Sequence, residues 1–371
     1  MTAAQQTEKK QETDRETRQQ PLPGSRIHWC DTLKFLCILM VVYCHHDGAD
    51  RKVMDLYSPF FLFAFFFVSG YLYREEPFPV FLYKKFRQLL VPWLAFSHFN
   101  IVTRSILSFH DHEGLLTELG KNLLQIREYG DEVWFVAALF AAYLPFYGII
   151  RLQTGKQTLS AFSGQSLQQS GPQTENRIDL QKGLQLLLMA FLLSLASSLY
   201  HLRMPAIFPW GSNALPWHLD YLPQGIFIML LGYDYRRLKI EESRTSWAAV
   251  LLSLLYCLIV LTWPAAWKRN PALNLTDQYA TRLLGLCLIV TLAKQIRLPS
   301  VLNLLGENTI IIFGLHAKVI AVLQTLLQKA APLTEAGSMT ALVLTVLNLF
   351  LMLIPIQIIN RYLPWLIGRK R

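Results

Sequence analysis

The residues best suited to chemistry lie in one apolar segment near the start of the chain, where Asp31, Lys34 and His45 are embedded among hydrophobic residues. Ionisable side chains are costly in an apolar helix, so their presence there indicates a function. On an α-helix, Lys34 and His45 lie about 20° apart around the axis and roughly 16 Å apart along it. Lys34 could hold an anionic substrate group while His45, as a neutral imidazole, acts as a general base.

An alternative interpretation gives the same residues a structural role only. Asp31 and Lys34 are three residues apart and could form an ion pair at a membrane interface, with His45 and His46 closing the other end of the helix. The residue types leave both interpretations open. Of the two histidines we favour His45 as the base, because His46 points about 100° away from it.

A second group of candidates follows the aromatic run 60–67, which continues into Ser69. Ser69 could hydrogen-bond in a site, although a Ser-Gly pair in an apolar helix more often permits close helix packing. Lys84, Lys85 and Arg87 come shortly afterwards. Three cations could bind the phosphates of a substrate, or they could hold the loop on the cytoplasmic side of a membrane.

A third candidate is His316, which lies in an apolar segment after Asn308. An ionisable residue at such a position is functional or packs against a polar neighbour. No metal is predicted, because His45, His46 and Asp47 are adjacent and cannot converge on one ion from a regular helix.

The elements that carry these residues are predicted to be membrane-spanning helices. The chain has 371 residues, of which 53% are hydrophobic and 16% charged, and its mean hydropathy is +0.29. Its apolar runs are long enough to cross a hydrocarbon core. We therefore predict an all-α polytopic membrane protein with about ten spans, near residues 31–46, 58–73, 89–107, 133–150, 183–200, 219–235, 247–264, 279–294, 310–327 and 341–359.

The distribution of Lys and Arg predicts the orientation. Most of those outside the spans fall in the N-terminal tail and in every second connection, which places both termini in the cytoplasm. This topology accounts for the net charge of +10 without a nucleic-acid partner. Residues 1–26 are predicted to be a disordered cytoplasmic tail, and residues 27–367 a membrane domain with a polar cytoplasmic loop at 151–182.

The order of these signals resembles the acyltransferase 3 family of membrane acyltransferases, and within it the branch similar to fucose 4-O-acetylases and other polysaccharide O-acetyltransferases. Much of the family has arginine where Lys34 stands, so a bidentate guanidinium is lost here while the cation remains. The matching pieces are Asp31-x-Leu33-Lys34 with His45, Phe66-Phe67-Val68-Ser69-Gly70-Tyr71, Lys84-Lys85-x-Arg87 with Pro92, Val133-Trp134-Phe135-Val136, Gly232-Tyr233, and Gly306-Glu307-Asn308-Thr309 leading to His316.

The resemblance implies transfer of an acetyl or similar short acyl group from cytoplasmic acetyl-CoA to a sugar hydroxyl of a cell-envelope polysaccharide or lipid-linked saccharide. It implies that His45 is the base and that Lys34, with Asp31 beside it, and the cations Lys84, Lys85 and Arg87 serve the polyanionic donor. Such an enzyme lies in the cell membrane and needs no metal. Direct transfer is favoured over a covalent acetyl-histidine intermediate, which the sequence leaves open.

Two other functions compete with this hypothesis. A transporter or flippase for a lipid-linked saccharide would also have about ten spans and buried ionisable groups, and internal inverted repeats would favour it. A membrane scaffold without activity is the third possibility. The association of His45 with the basic segment favours the acyltransferase.

Overall fold

The fold consists of helices throughout the part of the chain that the structure describes. The computed structural model describes residues 27–107, 115–125, 133–154, 172–203, 214–240, 246–262, 269–330 and 337–369. Within these ranges there is no β-strand, as the sequence predicts. The predicted N-terminal tail, residues 1–26, lies outside the described residues.

The helices are numbered along the chain, and α4 passes into α5 through one π-helical turn, Phe86–Leu90. They are α1 (His28–Cys44), α2 (Arg51–Tyr57), α3 (Phe61–Tyr71), α4 (Phe78–Lys85), α5 (Val91–Leu107), α6 (Leu115–Leu124), α7 (Trp134–Thr154), α8 (Pro172–Arg203), α9 (Leu222–Arg237), α10 (Ser246–Thr262), α11 (Pro271–Gln295), α12 (Ser300–Glu307), α13 (Thr309–Ala330), α14 (Ser338–Leu351) and α15 (Leu353–Tyr362).

Each predicted span overlaps a helix or a pair of consecutive helices. Among the described residues, five segments are long and apolar enough to cross a membrane by length and composition. The number of spans and the orientation stay predictions. The five segments are Arg51–Tyr71, Trp134–Gln153, Gln181–Arg203, Thr309–Lys329 and Ser338–Tyr362.

Helices extend into both ends of the polar loop predicted at 151–182. Helix α7 continues to Thr154, and α8 begins at Pro172. The early part of α8 contains Gln, Glu and Lys, which are good helix formers although they are polar. Hydropathy therefore underestimates the lengths of these two helices, and residues 155–171 lie outside the described part of the chain.

Helix α1 is central, packing against α3, α11, α12, α13 and α14. Its apolar residues are buried around much of its circumference, including Leu33, Ile38 and Val42, each with 0% exposure. The contact with α12 is particularly close, because a Cβ atom added to Gly306 would lie 2.1 Å from the carbonyl oxygen of Asp31. Glycine at 306 thus lets the two backbones touch.

Helices α3 and α9 form a second close, antiparallel contact. A Cβ added to Gly70 would lie 1.9 Å from the Met229 carbonyl oxygen, and one added to Gly232 would lie 2.1 Å from that of Phe67. Two of the sequence pieces, Ser69-Gly70 and Gly232-Tyr233, therefore meet in space. Gly70 has the packing role that small residues play between membrane helices.

The direction of α11 identifies which elements share an end of the molecule. Lys294, in its last turn, lies with Nζ 5.4 Å from the ring centroid of Trp29, at the start of α1. Helix α11 packs on α1 and runs antiparallel to it, so its N-terminus lies towards His45. We call the two ends of α1 the Lys34 end and the His45 end.

Candidate active site

His45 lies directly after the last residue of α1. Its backbone N–H donates to the Val42 carbonyl (3.2 Å), and its ring Nδ1 lies 2.7 Å from the Val41 carbonyl oxygen. A carbonyl oxygen only accepts hydrogen bonds, so Nδ1 carries a proton, and in the neutral ring Nε2 then holds the lone pair. Unlike most of α1, the His45 side chain is exposed. This is the tautomer and accessibility that a general base needs.

The structure brings His316 against His45, although 270 positions separate them in the chain. Their ring centroids are 5.0 Å apart, with an angle of 78° between the ring planes. His316 is fully buried, and its Nδ1 lies 2.9 Å from the Ile312 carbonyl oxygen. Its Nε2 has no hydrogen-bond partner among the described residues. The two imidazoles therefore form a pair with the same tautomer, one buried and one accessible.

Amide side chains hold the backbone of α13 around this pair. Asn348 donates to the His316 carbonyl (3.0 Å), and Asn100 donates to the Gly314 carbonyl (3.0 Å). The ammonium group of Lys318 donates to the Asn100 carbonyl (3.2 Å). These residues were not predicted from the sequence to belong to the site, although polar residues in three separate apolar helices were the available signal.

An aromatic wall joins another of the sequence pieces to α13. Phe135 stacks on Phe313 with ring centroids 5.5 Å apart and an interplanar angle of 18°. Phe65 contacts both rings, with centroid distances of 5.6 Å and 5.3 Å.

His46, the residue directly after His45, is 4% exposed, and neither of its ring nitrogens has a partner among the described residues. The histidines thus lie at the edge of an apolar interior.

At the Lys34 end the charges are paired. Asp31 is buried, and its Oδ1 lies 2.6 Å from Lys34 Nζ, which is the ion pair of the structural interpretation. Asn308 is also fully buried; it donates to the Leu304 carbonyl (2.7 Å) and accepts from Asn360 (3.0 Å). The motif around Asn308 therefore joins the C-terminal segment to α12.

The three cations Lys84, Lys85 and Arg87 have different neighbours instead of one shared site. Lys84 pairs with Glu76. Lys85 lies over the ring of Tyr143, with its Nζ 3.7 Å from the centroid. Arg87, in the π-helical turn, donates to the carbonyl of Arg369 (3.4 Å). Of the three, Lys84 has a side chain that is 49% exposed, so it could meet a ligand.

Ser69 contacts the rest of this region through its backbone carbonyl group. Its carbonyl oxygen accepts a hydrogen bond from the Tyr143 hydroxyl (3.2 Å). Because Tyr143 also lies under Lys85, this contact ties α3 to the basic segment. The structure therefore places Ser69 with Lys85 and apart from the histidine pair.

A family model described as an acyltransferase domain matches residues 27–358. The chain belongs to the acyltransferase 3 family. The match extends from the residue before α1 into α15 and includes every candidate residue discussed above. It identifies the protein as an acyltransferase whose apolar helices are those of a membrane protein, without distinguishing the fucose 4-O-acetylase-like branch. No curated protein and no solved structure matches the chain.

This acyltransferase also has a basic cavity at the Lys34 end that was not predicted from the sequence. The cavity has a volume of about 500 Å³, and its lining includes His28, Trp29, Lys294 and Arg297. Lys294 interacts with the faces of Trp29 (5.4 Å) and Tyr235 (4.7 Å). The signal was a lysine at the end of an apolar run followed closely by an arginine.

The acyltransferase has no group of three or more His, Cys, Asp or Glu side chains placed to hold a metal ion within the described ranges. The candidate site is the His45–His316 pair at one end of α1. Cationic side chains lie at the other end.

Proposed function

We propose that this acyltransferase transfers an acetyl group from acetyl-CoA to a hydroxyl group of a saccharide in a cell-envelope polysaccharide or lipid-linked precursor. The observation that carries the proposal is the contact between His45 and His316, whose rings lie 5.0 Å apart where α1 ends. A general base for a hydroxyl must be accessible and hold a free lone pair, and His45 meets both requirements.

In the proposed reaction, His45 Nε2 takes the proton of the acceptor hydroxyl as its oxygen attacks the thioester carbonyl. A C–O bond forms, the C–S bond breaks, and the coenzyme A thiolate leaves and takes the proton from the imidazolium. The hydrogen bond from Nδ1 to the Val41 carbonyl fixes the tautomer that can begin this sequence. His316 is proposed as a positioning residue, because its buried ring packs edge-on against His45.

The membrane arrangement belongs to the same proposal. About ten spans with both termini in the cytoplasm would put the Lys34 end on the side where acetyl-CoA is found. The accessible cations there, with Lys84 foremost, would attract the donor's phosphates. The flexible arm of the donor would then carry the thioester along α1 towards His45, roughly 16 Å from Lys34 along the axis. The cell membrane is the proposed location.

The proposal is tested with membranes that contain the full chain, supplied with acetyl-labelled acetyl-CoA and envelope saccharides. We expect base-labile label in the saccharide fraction with the wild type, and a loss of about 10²–10⁴-fold in rate with His45→Ala. His98→Ala is the matched control, because His98 Nδ1 makes the same contact with the carbonyl four residues earlier (2.6 Å). Equal rates for His45→Ala and wild type would contradict the assigned role of His45.

A further inference from the structure

The His45 end contains a polar cavity that the reaction described above does not use. Its volume is about 310 Å³, within the range of small-molecule sites. Helix α11 contributes Asn274, Asp277, Gln278, Thr281 and Arg282 to its lining. These positions recur every three to four residues, so they form one stripe on the helix.

The cavity is connected to His45 through α2. Asp55, in α2, and Ser58, directly after it, line the cavity opposite α11. Helix α2 begins six residues after His45, and its end is held to α1 by the Tyr43 and Tyr57 rings, whose centroids are 6.4 Å apart. A molecule bound in the cavity therefore lies at the same end of the fold as the histidine pair.

Arg282 is the residue that most requires an explanation. It is 7% exposed, and its guanidinium lies 4.0 Å from the ring centroid of Phe63. Its Nε and Nη1 atoms have no hydrogen-bond partner among the described residues. A buried guanidinium with unused donors is costly, so a ligand that supplies oxygen acceptors would stabilise it.

The remaining lining groups indicate which ligand fits. Asp55 and Asp277 can only accept hydrogen bonds when ionised, Arg282 can only donate, and the amides Asn274 and Gln278 do both. Hydroxyl groups of a sugar both donate and accept, so they can satisfy all three kinds of group. A phosphate or carboxylate only accepts, and it would lie near two carboxylates of the same charge.

We propose that this cavity binds a neutral sugar ring of the acceptor saccharide, with Arg282 donating to its oxygens and the two carboxylates accepting from its hydroxyls. The identity of the ligand as the acceptor rests on the proposed function; the binding of the sugar does not. The cavity would place the ring beside the end of α1, where a neighbouring hydroxyl can meet His45.

Binding is measured by saturation-transfer NMR titration of the purified full-length chain in detergent. The probes are neutral sugars (glucose, galactose, fucose and N-acetylglucosamine) and two acidic ones, glucuronate and glucose 6-phosphate. We expect at least one neutral sugar to bind, and Arg282→Met to weaken it about tenfold or more, the size of a lost charged hydrogen bond. Binding of only the acidic sugars, or of none, would overturn the proposal.

A threonine pair separates a local effect on the cavity from misfolding. Thr281 and Thr291 both lie on α11 and bond the carbonyl four residues earlier, at 2.6 Å and 2.7 Å. Only Thr281 lines this cavity. We expect Thr281→Val to weaken sugar binding and Thr291→Val to leave it unchanged; equal effects would count against the site.

The acetyl-transfer assay distinguishes this proposal from the proposed function. If sugar binding depends on Arg282 while no label is transferred by any variant, the cavity stands and the proposed function fails. If label is transferred equally by the wild type and Arg282→Met, the acyltransferase reaction stands and the cavity is not the acceptor site.

Discussion

The two ends of α1 use polar residues in opposite ways. At the Lys34 end, Asp31 and Lys34 are paired at 2.6 Å, and Asn308 both donates and accepts hydrogen bonds. At the His45 end, the buried rings of His46 and His316 have nitrogens without a partner among the described residues. The ionisable side chains of α1 are therefore paired at the Lys34 end, whereas the buried histidine rings at the other end keep nitrogens without a partner among the described residues.

This difference indicates which end of α1 is better suited to a chemical reaction. A buried polar group left without a partner costs about 1–3 kcal/mol, and such groups are few in folded proteins. The histidine rings at the His45 end bear this cost, whereas Asp31 and Lys34 avoid it by pairing; at their end of α1 the buried atom without a partner among the described residues is Trp29 Nε1. This contrast supports the proposal that the reaction takes place at the His45 end.

The largest expected effect concerns the coupling of the two histidines. We expect His45→Ala to lower the acetyl-transfer rate by about 10²–10⁴-fold. The double variant His45→Ala with His316→Ala should be hardly slower than His45→Ala alone, because His316 acts through His45. Measured rates of all four proteins complete the cycle. If the costs of the two single variants simply add, His316 does not act through His45.

A stability test follows for the Lys34 end. Gly306→Ala adds a methyl group 2.1 Å from the Asp31 carbonyl oxygen, so α12 must move away from α1. We expect a loss of about 1–3 kcal/mol in the free energy of unfolding, measured by denaturation in detergent. Gly148→Ala is the control, because a Cβ at Gly148 has no atom within 4 Å. A Gly306→Ala protein as stable as this control would contradict the close backbone contact.

The ion pair at the same end should have a smaller effect. Asp31→Asn removes the partner of Lys34, whose side chain is 21% exposed, so we expect a loss of about 1 kcal/mol in stability. Adding Lys34→Met should recover part of that loss, because no cation is then left without its carboxylate. Denaturation of the single and double variants measures the coupling. If the double variant is less stable by the sum of both losses, the two residues are not a stabilising pair.

The smallest expected effect tests which cations meet the donor. Lys84→Gln should raise KM for acetyl-CoA about 2–5-fold without changing kcat, because an exposed charge contributes little beyond attraction. Arg297→Gln, in the basic cavity beside Trp29, should leave KM unchanged. Steady-state kinetics with varied acetyl-CoA decides between them. A larger effect of Arg297→Gln would move the donor site from the basic segment to that cavity.

The sequence was most informative about helices and individual ionisable residues. Apolar runs locate the long helices because burial and hydrocarbon both require them, whereas the short helices α2, α4, α6 and α12 lie outside the ten predicted spans. The lone charges in the first predicted span identify Asp31, Lys34 and His45. The helix-end extensions were missed because hydropathy does not register polar helix formers. The contact of His45 with His316 was not predictable from spacing, because it depends on how α1 and α13 pack.

The cavities, like the contact between the two histidines, depend on how the helices pack and were not predictable from the sequence. Arg282 lies in the predicted span 279–294 and Asp277 just before it, and neither was predicted to be a site residue. In the structure the two share a stripe of α11 that lines a cavity together with Asp55 of α2. Likewise, Lys84, Lys85 and Arg87 look like one cluster in the sequence, while their side chains meet Glu76, Tyr143 and Arg369. Adjacent positions in a chain do not fix the directions of long side chains.

Helix α1 runs without a break through Leu33, Ile38 and Val42. This continuity limits which kinds of mutation the gene can accept in this segment. Substitutions among apolar residues of similar size alter packing by small amounts. An insertion or deletion of one residue between Lys34 and His45 would turn the imidazole by about 100° and shift it by about 1.5 Å. We therefore expect the interior of α1 to tolerate substitutions between apolar residues, but not insertions or deletions.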